Sequence, residues 1–77
     1  QFNCNNIPNQ KVYLIRSGVA IKRYDGGATA VYDATNDAIN NDLIYMGDGY
    51  YTFPYNYILQ DKTLTFISCK NSTINTP

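Results

Sequence analysis

The sequence predicts an α+β domain in which one N-terminal helix packs on a small antiparallel sheet of three or four strands. Three observations predict it. Residues 9–24 open on a helix-capping signal and close just before a glycine pair, β-favouring residues crowd the second half, and two cysteines stand near the two ends of the 77-residue chain. A chain this short buries only about 60% of its unfolded surface, so residues 1–77 are expected to form a single domain that needs a crosslink.

The helix reading of residues 9–24 (NQKVYLIRSGVAIKRY) rests on Pro8 before Asn9, a good N-cap. Val12, Ile15 and Val19 follow at spacings of three and four, and Gly26-Gly27 stands just past the end. The same letters form a hairpin if residues 12–15 and 19–24 are strands and Arg16-Ser17-Gly18 the turn, as the β-branched content and Gly18 favour. Leu14 and Ile21 fall on the far side of the helical face, so both readings stay open. The hairpin would make the chain an all-β sandwich of five or six short strands.

Residues 36–42 (NDAINND) are polar and turn-forming and read as a loop. Residues 42–46 (DLIYM), 50–57 (YYTFPYNY) and 62–69 (KTLTFISC) carry alternating Tyr, Thr, Phe and Ile and read as three strands. Gly47-Asp48-Gly49 has two residues free to take positive φ, as a tight antiparallel hairpin requires, and Gln60-Asp61 can turn the chain again. Pro54 cannot donate a ladder hydrogen bond, which places it at an edge, bulge or bend. In the second of these strands a period of two sets Tyr51, Phe53, Tyr55 and Tyr57 on one face and Tyr50, Thr52 and Asn56 on the other.

A Cys4–Cys69 disulfide is the expectation, with two free buried thiols the alternative. Closing nearly the whole chain, it would contribute roughly 4 kcal/mol in the loop-entropy model, comparable to the whole stability of so small a domain. Such a bond, a first residue Gln1 in place of Met, and the glycosylation acceptor Asn71-Ser72-Thr73 all fit a mature secreted product. The longest apolar run, residues 12–15, falls far short of the roughly 20 residues that cross a bilayer.

Composition excludes several functions. The chain has no His, hence no imidazole base near neutral pH, no Ser-His or Cys-His pair and no imidazole metal ligand. Six Asp stand without the alternating carboxylates and closing Glu of a calcium loop, so neither a metal nor a cofactor is expected. Asp25-Gly26-Gly27 and Gly47-Asp48-Gly49 lack the length and the lysine of a phosphate loop and read as turns. Formal charge is zero, which argues against strong nucleic-acid binding by counterion release. That charge is polarised: Lys11, Arg16, Lys22 and Arg23 occupy the first 24 residues without an acid, and residues 25–61 hold all six Asp without a base. The basic front is either a contact face for RNA phosphate or an acidic partner, or an ordinary solvated face. Of the eight Tyr, most are expected to fill the core, because the chain has no Trp.

Phe2-Asn3-Cys4, with a lone partner Cys69 near the other end, resembles the aromatic-x-Cys signature of secreted effectors of powdery mildew fungi. Ile7-Pro8 ahead of Val12 and Tyr50-Tyr51-Thr52-Phe53-Pro54 are similar to marks of their ribonuclease-like branch, the helix entry and the YYxFP strand. The resemblance touches about a third of the chain. It implies a microbial-ribonuclease-like fold, release by a fungus, delivery into plant cells and encounters with intracellular immune receptors. Departures from the pattern imply that catalysis is lost. Thr52 stands where active ribonucleases keep a Glu base, no His replaces the catalytic histidines, and the family's Tyr-Pro-His segment is only echoed by Tyr32-Asp33-Ala34. Lys62 after Asp61 matches an Arg, and a lone cation does not run transphosphorylation.

The hairpin alternative resembles the MAX effectors of other plant-pathogenic fungi, small β-sandwiches pinned by a disulfide. A secreted inhibitor or toxin-like binding module is a third class. All three act through a surface, because so small a domain has little volume for a pocket. Arg16, Arg23, Tyr24 and Tyr50 are the expected contact residues toward a host plant protein, on a chain read as monomeric. Weak RNA binding without cleavage is compatible with this reading.

Overall fold

The computed structural model describes residues 4–53, 62–69 and 71–75. One helix packs against mixed sheets, and a Cys4–Cys69 disulfide with Cα atoms 5.3 Å apart ties the two ends together. The α+β class is therefore the observed one, but the helix is not where the sequence signals placed it.

Residues 9–24 form a hairpin. Strands β1 (Val12–Arg16) and β2 (Val19–Tyr24) pair antiparallel across Ser17 and Gly18, whose φ angles of 54° and 78° are both left-handed. Two successive positive φ values make the turn whose twist matches that of the flanking strands. A helix would have set Leu14 away from Val12. The strand alternation instead buries both on the core face. Ile21 is an extra residue in β2, since Lys22 pairs with Leu14 and Ala20 with Ile15, so the edge strand is bulged.

The helix is α1 (Ala30–Asp37), entered from a 3-10 turn at Gly27–Thr29. Ala30, Val31, Ala34, Thr35 and, just beyond the helix, Ala38 recur at spacings of three and four, and all are buried. At its end the chain becomes extended at Ala38, and Lys62 donates from Nζ to the carbonyls of Thr35 at 2.7 Å and Asn36 at 3.4 Å. A cation there answers unpaired carbonyls and the helix dipole. Only residues 38–42 of the expected loop lie outside the helix.

Strands β3 (Leu43–Met46) and β5 (Thr65–Ser68) complete a four-stranded sheet in the order β2-β1-β3-β5, while β4 (Gly49–Thr52) and β6 (Ser72–Asn75) form a second ladder. The expected all-antiparallel sheet is corrected here: β3–β5 and β4–β6 are parallel. The expected hairpin at Gly47-Asp48-Gly49 is corrected too. Gly47 has no positive φ, and its N–H donates to the Lys11 carbonyl at 2.8 Å, so the chain bends from one ladder into the next instead of reversing. A Cβ on Gly47 would meet the Pro8 carbonyl oxygen and lie 2.9 Å from Ile7 Cγ2. Glycine serves close approach here, not turn geometry. The expectations for Pro54, Tyr55, Asn56, Tyr57 and Gln60-Asp61 lie outside the described residues.

The core lies between α1 and one face of the larger sheet, where Val12, Leu14, Ile44 and Met46 meet Ala30, Val31 and Ala34. Tyr51 enters from β4 fully buried, its hydroxyl donating to the Gly47 carbonyl at 2.7 Å. Phe53 packs against the same cluster.

Candidate functional site

The basic front and the acidic middle fold onto each other. Lys11 and Arg23 both reach Asp25, at 3.5 and 2.9 Å, Arg16 reaches Asp42 at 2.9 Å, and Lys22 reaches Asp37 at 3.6 Å. All four cations of the first 24 residues thus meet an acid from the segment that follows. The exposed pairs add little stability. They do lower the field that a phosphate backbone would feel.

Arg16 is the most constrained of them. Its guanidinium donates to both Asp42 oxygens, from Nε at 3.0 Å and from Nη2 at 2.9 Å, and the Ile39 N–H donates to Oδ2 at 2.9 Å. Asp42 is 1% exposed. The Arg16 hydrogen bonds, outweighing burial, hold its carboxyl below the usual range, and Arg16 is raised in turn. Arg16 therefore clamps β1 to the start of β3 through Nε and Nη2. Arg23 pairs with Asp25, and its pKa is raised first by a hydrogen bond with Tyr13 and then by one with Asp25.

Tyr24 is core, at 6% exposed. This corrects its place among the surface residues: it ends β2 facing α1, donates to Asp37 Oδ2 at 2.7 Å and lies under Lys22, whose Nζ is 5.1 Å from the ring centroid. Burial first, then the bond to Asp37, pushes its phenol up, and the same bond depresses Asp37. Tyr50 is exposed at 53%. Its backbone N–H donates to Gln10 Oε1 at 2.8 Å, and Gln10 Nε2 donates back to its carbonyl at 3.4 Å, so a side-chain amide takes the place of a neighbouring strand. Arg16, Arg23 and Tyr24 belong to the β1–β2 hairpin and Tyr50 to β4.

Of the positions that resemble the ribonuclease pattern, Thr52 lies half-buried at the end of β4, Lys62 caps α1, and Tyr32-Asp33-Ala34 lies within α1. Among the described residues, no three His, Cys, Asp or Glu side chains gather as a metal ion requires. A cleft of about 90 Å³ beside the disulfide, lined by Cys4, Asn5, Ile7, Asn9, Asp48 and Cys69, falls far below the size of a small-molecule site. No described helix is long and apolar enough to cross a membrane.

Exposed aliphatic side chains mark what the sequence reading passed over. Val19 at 59% and Ile21 at 44% stand in solvent along β2, an edge strand, and Ile39 is exposed beside Asp42. The hairpin reading held the signal, because it makes β2 a strand whose Val and Ile need a covering neighbour. Compared with known proteins, the chain matches no family model, no curated protein and no solved structure.

Proposed function

We propose that this protein is a secreted, non-catalytic binding module, an effector of the ribonuclease-like type that acts on host plant proteins and is open to detection by plant immune receptors. One observation carries the reading. The cationic side chains of the first 24 residues are engaged in internal ion pairs, while Val19 and Ile21 stand exposed on the edge strand β2. An edge strand offers unpaired backbone groups and alternate side chains to an extended partner segment, whereas the position that resembles the ribonuclease base is Thr52, which does not accept a proton at useful pH. The disulfide supports secretion and a life outside reducing compartments. The ribonuclease-like ancestry rests on Phe2-Asn3-Cys4 and on Tyr50 to Pro54. A MAX-like reading draws support from the hairpin and from six described strands in two sheets, and α1 weighs against it.

The test is expression of residues 1–77 in plants carrying immune receptors, with Ile21→Asp and Tyr50→Ala variants checked for folding. Ile21→Asp is expected to abolish receptor-dependent cell death and co-precipitation of the receptor. If both folded variants behave like the parent, the assigned surface is wrong.

A further inference from the structure

We infer that Asn71 is a glycan-bearing site, an inference that rests on the secreted reading above. Asn71-Ser72-Thr73 has the form of an N-glycosylation acceptor, and such a triplet needs a surface position to carry its sugar. The fold supplies that position at the step from β5 into β6. Asn71 is exposed, and its backbone is fully used: its N–H donates to Asp48 Oδ1 at 3.0 Å and its carbonyl accepts from the Gly49 N–H at 3.2 Å. The local conformation is therefore held without the Asn71 side chain.

The three residues divide by direction. Ser72 turns inward, its hydroxyl donating to the Gly47 carbonyl at 3.0 Å, while Asn71 and Thr73 on either side of it are exposed. The acceptor amide and the hydroxyl that defines the triplet thus share the solvent side, and a sugar on Nδ2 displaces no described contact. In the transfer, Nδ2 bonds to the anomeric carbon of a lipid-pyrophosphate-linked oligosaccharide and gives up a proton. The carbon–oxygen bond to the pyrophosphate breaks, and the lipid pyrophosphate leaves with the electron pair.

The position also divides the surface. Asn71 is bonded to Gly49, next to Tyr50, and Tyr50 pairs with Thr73 across the β4–β6 ladder. A glycan there crowds Tyr50. Strand β2 stands at the opposite end of the larger sheet from β5, the strand that leads to Asn71, and stays open.

The experiment secretes the full chain, behind a secretion signal, from yeast and measures intact mass before and after peptide-N-glycosidase. Expected is a heterogeneous mass above that of the chain, which the enzyme removes while converting Asn71 to Asp. Asn71→Gln and Thr73→Ala should each abolish the added mass, and Ser72→Ala should keep it. Two independent variants guard against one that misfolds. Oxidised protein recovered with a bare Asn71 overturns the inference and leaves the secreted reading standing. Protein recovered with reduced cysteines and a bare Asn71 overturns both.

Discussion

Asp42 is nearly out of contact with water and accepts from Arg16 and from the Ile39 N–H. A buried carboxylate is tolerable only with such partners. Asp42→Asn should therefore lower stability by about 1–3 kcal/mol in urea denaturation. Asp42 and Asp37 both hold their protons less tightly folded than unfolded. In acid the unfolded chain then binds more protons, so their contribution is complete above the ordinary carboxylate range and is lost as pH falls below about 4. Denaturation midpoints taken down this pH range should fall for the parent and fall less steeply for Asp42→Asn. Residue types were partly legible at this scale: the alternation that buries Tyr51 and exposes Tyr50 was written in the strand period. The role of Arg16 was not, because its partner lies 26 residues away and meets it only once β1 and β3 pair.

Elements read well where local rules act alone and failed where tertiary contacts choose between rules. Strands at β3 and β5 and the start of β4 were legible from Tyr, Thr, Phe and Ile. The hairpin at β1–β2 was legible only as one of two readings, since Asn9 caps a helix as readily as it precedes a strand, and pairing with β3 decides. Helix α1 was not legible because Ala and Thr at three and four spacing carry little apolar contrast, although with Val31 they form its buried face. Gly47 illustrates the same limit, its small size being spent on Pro8 and Ile7 instead of on a turn. Gly47→Ala is expected to cost roughly 1–3 kcal/mol through overpacking, seen as a lower urea midpoint with an unchanged slope.

At the scale of the molecule, two cysteines near the ends were enough to read the crosslink, which spans a sequence separation of 65. Reduction should remove about 4 kcal/mol in the loop-entropy model and lower the thermal midpoint sharply, as scanning calorimetry of oxidised and reduced protein would show. An unchanged midpoint would mean that core packing and strand pairing hold the fold without the crosslink. The charge polarity was equally plain in the sequence, but its cancellation was not, because it depends on which strands and loops come together.

Binding without catalysis is put to the test by incubating the folded, oxidised protein with single-stranded RNA and following chain length over time beside an active guanine-specific ribonuclease. RNA of unchanged length is expected throughout, with any retention of RNA weak and abolished by moderate salt. Guanine-specific cleavage that copurifies with the protein and disappears in Lys62→Ala or Tyr51→Phe variants that remain folded would contradict it.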